Sequence, residues 1–527
     1  MEQPRQTLSK ATTVAVIDVG SNAIRMVVAD VSPDGQINVL EQTQRAVRLG
    51  QDTFVGARLS SHTMSAAISV LSDYRRILET YKVTQMRAVA TSAVREASNS
   101  DAFLDRIYMS SGLEVEVNDP SEESRLTVSA VQQALGHPPG VERYHALIAD
   151  VGGGSALLTV LHKGEIVASE SYPLGSIRLQ EVLSITNEPP ERAADLIRHQ
   201  IVGVVAAIAT SLPMESIKTF IAVGGDARFA ARQIAKSTDP TSPYVIELKA
   251  FDRLVSKCER HTTEELSRLY DLPYPDAQTL GPALLVYQAL VHATKASKII
   301  VSHVTMRDGL LLDLARTVTG REDEELAKSV LHSARTIGEK YRYDPDHAAH
   351  VAELANRLFD ELRAEHGLKP RHRLLLRVAA VLHEVGGFVS SRAHHKHSYY
   401  LIANAEVFGL RREELEIVAL VARYHRRSIP KRSHIEYMTL PRERRVVVSK
   451  LAAVLRVADA LDRSHAQHVR DFHLERRENE LVIHVRGVTD LALEQRALST
   501  KADLFEEAYG MAVRLEEAPS PSPGGRA

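Results

Sequence analysis

Two copies of one short pattern constrain this 527-residue chain more than any other feature. Residues 14–29, VAVIDVGSNAIRMVVA, run apolar into Asp18, turn at Gly20, Ser21 and Asn22, and leave apolar again. The pattern predicts strand, tight turn, strand. Gly20 permits a sharp turn and close approach of a ligand to the main chain. Ser21 and Asn22 add hydroxyl and amide groups to a turn whose N–H groups suit phosphate oxygens. Alone, the segment reads equally well as an ordinary hairpin with a polar turn. Residues 147–160, LIADVGGGSALLTV, repeat it: an apolar run into Asp150, then Gly152, Gly153, Gly154 and Ser155, then a second apolar run. Asp34-Gly35 and Lys163-Gly164 place a further turn after each copy. The duplication predicts two lobes, with two glycine turns and two aspartates around one cleft. Neither turn is a P-loop, because G-x-x-x-x-G-K-[ST] does not occur in the chain.

Length leaves room for three or four domains, and 44% hydrophobic with 25% charged residues is ordinary for a globular protein. The net charge of −2 excludes a bulk polycation, so any polyanion must bind locally. With Cys258 alone no intrachain disulfide forms, which predicts a reducing, cytoplasmic setting. The first thirteen residues hold no apolar signal core, and the longest apolar stretch, Ile201–Ala209, is too short to span a bilayer. No membrane partner is expected.

Helical periodicity over 60–80, a strand at 86–91 and a strand at 114–117 lead to a helix from near Glu122 to Leu135, with Ser121 as its N-cap. A third glycine turn, Gly224-Gly225-Asp226, follows a strand at 219–223, and a helix is expected over 251–269. This alternation is α/β. From Asp308 strand signals almost vanish and histidines cluster, with helices expected at 310–318, 323–341, 346–365, 371–385, 398–408 and 412–424. A helix at 446–463, a hairpin at 472–477 and 480–485 and a helix near 491–509 follow. The expected units are lobes 1–125 and 126–307, an all-α domain 308–445, a small α+β region 446–515 and a disordered tail 516–527.

DVGSN at 18–22, TSAVR at 91–95, the glutamates 122–123, DVGGGS at 150–155, PLGSIRL at 173–179, VGG at 223–225 and RDGLL at 307–311 together resemble the exopolyphosphatase / guanosine pentaphosphate phosphohydrolase (Ppx/GppA) family over most of the chain. The resemblance implies actin-like (ASKHA), duplicated ribonuclease H-like lobes followed by an HD-like helical domain, as in the family's longer members. It implies a homodimer acting on polyphosphate or guanosine pentaphosphate, with Mg²⁺ or Mn²⁺. It places Asp18, Gly20, Ser21, Asn22 and Arg95 at a first phosphate site, Gly152–Ser155 with Gly224 and Gly225 at the rest, Asp150 towards Mg²⁺, and Glu122 as general base. Four departures bear on activity. Ala23 stands for a hydroxyl residue, Asp119-Pro120-Ser121 for a glycine-containing turn, Asp226 for a small hydroxyl residue, and Leu157 for a glutamate held to support metal or water.

His347, His383-Glu384 and Asp459 resemble the ligand order of HD phosphohydrolases, with His397 and His425 where further ligands occur, which implies a second, transition-metal site. The alternative is a helical scaffold with hydrogen-bonded histidines. Residues 423–445 are rich in Lys and Arg; Arg426, Arg427, Lys431 and Arg432 line either a polyanion channel or a solvated loop. Nothing reads nucleic-acid bases. Three functional readings stand: an exophosphatase; a degenerate regulator that binds polyphosphate or guanosine nucleotides; and nucleotide hydrolysis at the HD-like site with regulatory lobes.

Overall fold

The structure, a computed structural model, describes residues 11–135, 145–163, 165–235, 243–320, 324–426, 428–488 and 490–517. Gly164, Arg427 and the expected tail from residue 518 lie outside the described residues. The chain divides into two units, Met1–Asp323 and Glu324–Ala527.

In the first unit, β1 (Thr12–Val19), β2 (Ala23–Val31) and β3 (Ile37–Ala46) are antiparallel, and β4 (Gln85–Ala90) and β5 (Val115–Val117) add parallel strands in the order β3-β2-β1-β4-β5. A second sheet repeats that order with β6 (His145–Val151), β7 (Ala156–His162), β8 (Glu165–Tyr172), β9 (Ile217–Val223) and β11 (Lys298–Val301), while β10 (Tyr244–Glu247) pairs antiparallel at its edge. The duplication is therefore one of topology. Residues Val14–Val19 of β1 are buried throughout, as in strands covered on both faces.

Each hairpin turn also receives a short helix. Gly50, at the start of helix Leu49–Gly56, donates its N–H to the Ser21 carbonyl at 2.9 Å. Ser176 and Ile177, at the start of helix Ser176–Leu183, donate to the Gly152 and Gly153 carbonyls at 3.0 and 2.9 Å. N–H groups that a helix start leaves without helical partners are thus used by the turn. The two helices touch each other.

Helix Pro120–Leu135 follows the first sheet yet packs on β7 and β8 of the second, and helix Met306–Thr319 follows the second sheet yet packs on β1. Leu310, Leu311 and Leu314 join Val14, Val16 and Val27 in one apolar cluster. The expected boundary at 307/308 is therefore displaced, because the helix after it covers the first lobe's sheet. The expected N-cap also moves: Asp119 accepts the Glu122 N–H at 2.8 Å and the Ser121 hydroxyl at 3.1 Å, and Pro120 takes the first helical position. The helix expected over 251–269 is two, Leu248–Cys258 and Thr263–Tyr270. Helix Pro190–Ser211 is long and apolar enough, by length and composition, to cross a membrane, unlike the shorter stretch at 201–209; in this fold Ala194, Ile197 and Ile201 are buried and the helix packs against Tyr274–His292.

The second unit has one core. Leu451 and Leu455 of helix Arg442–Leu461 share it with Leu375 of helix Pro370–Leu382 and with Ile483 and Leu515 of a three-stranded sheet. That sheet pairs β12 (Phe472–Arg477) antiparallel with β13 (Glu480–Val485), which runs parallel to β14 (Ala512–Glu517). The expected division at 445/446 is thus absent from the core. β14 enters the stretch expected as tail, and the helix near 491–509 is two, Ala492–Lys501 and Asp503–Tyr509.

Gly309 marks the crossing of helices Pro120–Leu135 and Met306–Thr319: a Cβ there overlaps the Leu126 main chain. Gly309→Ala should destabilise the chain by about 1–3 kcal/mol. Gly203→Ala, in a helix with open space around the glycine, should be neutral or stabilising by up to about 1 kcal/mol. Denaturant unfolding of both reads the contrast, and equal midpoints would refute the crossing.

Candidate functional site

A cleft of about 440 Å³ lies where the two hairpin turns meet. A Cβ on Gly153 crowds the Ser21 side chain, and one on Gly154 overlaps the Ser92 hydroxyl. Ser21 and Ser92 hydroxyl oxygens lie 3.1 Å apart, and Asn22 donates to the Pro275 carbonyl of the other lobe at 3.4 Å. Gly154 is held from behind, where Arg178 donates to its carbonyl at 2.6 Å and binds Glu96 with its other nitrogen.

The structure brings most of the expected site together. Asp18, Gly20, Ser21 and Asn22 line the cleft from one lobe; Asp150, Gly152, Gly153, Gly154 and Ser155 line it from the other, with Gly224 and Gly225 beside them. The Gly20 and Gly152 N–H groups close their own turns, bonding Ala23 and Ser155 carbonyls at 3.1 and 2.9 Å. Ala23 is buried in β2 and is not among the lining residues.

Two residues sit elsewhere. Glu122, expected as the base, is 2% exposed and takes two bonds from Arg125, at 2.7 and 3.0 Å, with Arg87 at 3.5 Å. Arg125 also pairs with Asp313 of helix Met306–Thr319. Successive helical residues point about 100° apart, so one member of a glutamate pair faces away when the other faces in. Glu123 is the one that lines the cleft. Arg95, expected on phosphate, instead grips the Glu123 carboxylate and the Asn118 carbonyl.

The cleft carboxylates are under electrostatic pressure. Burial pushes Glu123 up to about 7, opposed by Arg95 and reinforced by Asp18 and Asp150. Burial pushes Asp150 up to about 6, opposed first by Arg228; the Thr127 hydroxyl donates to it at 3.3 Å. Asp226 faces the cleft as well, pushed by burial to about 6 and accepting the Thr279 hydroxyl at 3.1 Å. Leu157 lines the cleft directly opposite Asp150 in the β6–β7 pairing.

Arginines that motif reading passed over complete the site. Arg25, Arg228, Arg232 and Arg307 line the cleft, and Arg307 donates to Asp18 at 3.0 Å. Burial pushes Arg228 down, and Arg307 beside it adds to the effect. Arg228 follows the third glycine turn by one helical turn and Arg307 opens the RDGLL segment; that was the available signal.

In the second unit, one ligand atom each from His347, His383 and Asp459 lies within 4.8 Å of the others, and Glu384 groups similarly with His347 and His465 and with His383 and His425. His397 joins none of these groups among the described residues. Of the basic stretch, Arg423 pairs with Glu436 at 3.1 Å, Arg426 is half-buried, and Lys431 and Arg432 are exposed. Burial pushes His395 down to about 4, helped by His394, Arg426, Lys396 and Arg423.

A profile of the Ppx/GppA phosphatase family matches residues 27–318, and one of Ppx/GppA phosphatase domain III matches residues 331–508. Exopolyphosphatase 1 of Mycobacterium leprae is 25% identical over 306 residues, 57% of this chain and 88% of that protein. The guanosine-5'-triphosphate,3'-diphosphate pyrophosphatase of Photobacterium profundum is 24% identical over 482 residues, 89% of this chain and 90% of that one. Among solved structures, an exopolyphosphatase from Cytophaga hutchinsonii superposes with TM-score 0.53 at 23% identity, covering 59% of this chain and 99% of that chain. The Aquifex aeolicus Ppx/GppA family member superposes with TM-score 0.50 at 23% identity, covering 60% and 100%.

Glu122→Ala should cost about 3 kcal/mol, because it strips the buried Arg125 of one of its two carboxylate partners. Denaturant unfolding measures it, and a loss under about 0.5 kcal/mol would mean the ion pair is not holding the helix.

Proposed function

The chain belongs to the Ppx/GppA phosphatase family in its long form, and on that premise we propose that its cleft hydrolyses the terminal phosphoanhydride of a linear polyanion, inorganic polyphosphate first and guanosine pentaphosphate second. The observation that carries this reading is the convergence of two glycine turns, four arginines and buried carboxylates on one cleft. Phosphoryl transfer needs charge neutralisation and alignment more than covalent participation. Glycine turns admit phosphate oxygens close to the main chain. Arg25, Arg228 and Arg307 supply fixed positive charge where the transferred group gains negative charge.

Glu123 is the water-orienting base in this reading. Water attacks the terminal phosphorus, Glu123 takes its proton, and the shortened chain leaves with the electron pair of the broken P–O bond. Arg95 fixes the carboxylate that does this. Asp18 and Asp150 offer hard oxygen donors, which suit Mg²⁺ or Mn²⁺. Mg²⁺ is commonly held by one or two carboxylates together with waters and substrate phosphate oxygens. When bound there, such an ion would neutralise phosphate charge.

Leu157 favours a second reading, a regulator that binds the polyanion and turns it over slowly. It lines the cleft beside Asp150 and offers no ligand. Asp226 adds a half-buried acid where a phosphate would approach.

Glu123→Gln should lower phosphate release from polyphosphate by at least about a hundredfold while leaving binding intact. Glu122→Gln should act on stability and leave the folded enzyme active; the reverse pattern would return the base to position 122. Leu157→Glu should raise turnover if the missing carboxylate limits it. Unchanged turnover with tight binding would favour the regulator.

The basic segment of the second unit offers exposed cations, Lys431 and Arg432, that suit a long polyanion. Replacing Arg426, Arg427, Lys431 and Arg432 together by Ser should flatten the salt dependence of long-chain binding and spare tripolyphosphate hydrolysis. Equal long-chain affinity at every salt concentration would make this stretch a solvated loop.

A further inference from the structure

Three helices of the second unit, Glu324–Lys340, Pro345–Glu361 and Pro370–Leu382, line a cavity of about 260 Å³ that the cleft chemistry does not use. Arg335, Asn356 and Arg377 reach it, one from each helix, and Leu331, Ala352 and Val381 give it an apolar wall. Those three apolar side chains are buried. The volume lies below the roughly 300 Å³ at which sites for drug-sized ligands begin, so it suits a small ion.

Two polar atoms of this cavity are left over. Arg377 Nε and Asn356 Oδ1 are both shut off from solvent, and neither has a hydrogen-bond partner. A guanidinium on a solvated surface gives every nitrogen to water; here one donor has neither water nor protein. The charge is poorly answered as well. Burial pushes the Arg377 guanidinium down, Arg373 and Arg335 add to that, and Asp360 opposes them. Asp360 is already engaged by Arg373, which binds its two oxygens at 2.7 and 2.6 Å. Glu353 lines the cavity too, and its charge acts on His350. A shielded donor without an acceptor, on a cation without a carboxylate of its own, costs stability.

The two leftover atoms ask for opposite things. Arg377 Nε needs an acceptor, and a guanidinium fork matches the oxygens of an oxyanion. Asn356 Oδ1 can only accept, so the ligand must also bring a hydrogen. An oxyanion that is charged and still protonated meets both needs. Inorganic phosphate near neutral pH is such an ion. Carboxylates and sulfate are not, because at that pH they have no proton left to donate.

We propose that this cavity binds one inorganic phosphate ion, with Arg377 and Arg335 answering its charge and Asn356 Oδ1 accepting its remaining hydrogen. Arg335 is exposed, which leaves the ion a way in, and Arg377 is half-buried behind it. The end group of a polyphosphate chain shares this chemistry, and the test separates the two. The site lies outside the cleft, and the proposal does not depend on what the cleft hydrolyses.

The test titrates the full chain with phosphate, sulfate and tripolyphosphate in turn, by calorimetry, with chelator present so that no divalent ion supports turnover. Hydrogen–deuterium exchange shows where each ion is felt. One phosphate per chain is expected that slows exchange in residues 370–382. It should be retained in Arg307→Met, which disables the cleft lining, and lost in Arg377→Met. Sulfate should bind at least about tenfold more weakly, roughly 1.4 kcal/mol, and Asn356→Leu should erase that preference. Arg377→Met should also melt at a higher temperature than the wild-type protein in phosphate-free buffer, because it removes a poorly matched charge. Loss of phosphate binding in a variant that melts higher cannot come from misfolding. No phosphate-dependent protection in residues 370–382, wild-type affinity in Arg377→Met, or a lower melting temperature in that variant would overturn the site. Equal affinity for sulfate would overturn the part given to Asn356, and equal affinity for tripolyphosphate would overturn the free ion as the occupant.

Discussion

Two main chains can meet closely only where no Cβ stands between them, and the first unit is built on that constraint. Gly153 and Gly154 come up against Ser21 and Ser92. Gly175 in turn packs on the backbone of Gly153 and Gly154, where a Cβ has no room. The short helices Leu49–Gly56 and Ser176–Leu183 then spend their first N–H groups on the carbonyls of the two turns. The turns are thereby clamped from behind as well as brought together in front. A group lying at their junction touches both lobes at once, which is why Asp18 and Asp150, far apart in sequence, share one cleft.

Charge is distributed there with the same economy. Burial raises Glu123, Asp150 and Asp226, and nearby arginines pull each of them back. Neither sign dominates the lining. Such a surface suits a ligand that itself carries both signs, a phosphate chain with its cation, better than a bare anion. Leu157 is the exception in this pattern. It sits at a charged wall with only carbon to offer.

The sequence carried the turns, the aspartates and the third glycine pair in readable form, because each is a local event: a β run, an acid, a residue that can turn. It also carried His347, His383 and Asp459 in order. Other features were not local. Helices Leu49–Gly56 and Ser176–Leu183 are short, and their starts are completed by turn carbonyls rather than by side-chain caps. β14 is a strand only because β13 is there to pair with it. Arg25, Arg228 and Arg307 are single residues on separate elements, and only the fold collects them. The domain boundary moved for a similar reason: helix Met306–Thr319 follows one sheet in sequence and covers the other.

The glutamate pair shows how one such detail decides chemistry. Glu-Glu at 122–123 contains no information about which carboxylate faces inward; that depends on the rotation of the helix. Two things set the rotation. Asp119 starts the helix one residue before Pro120, earlier than a Ser121 cap would. Arg125 and Arg87 then hold Glu122 against Asp313 on the crossing helix, where Gly309 lets the two backbones approach. With Glu122 fixed on the outer side, a residue one position later must turn about 100° towards the cleft. Glu122 is therefore a positioning residue for Glu123. Its buried ion pairs hold the helix in the one rotation that turns the next side chain into the cleft, with Arg95 there to receive it.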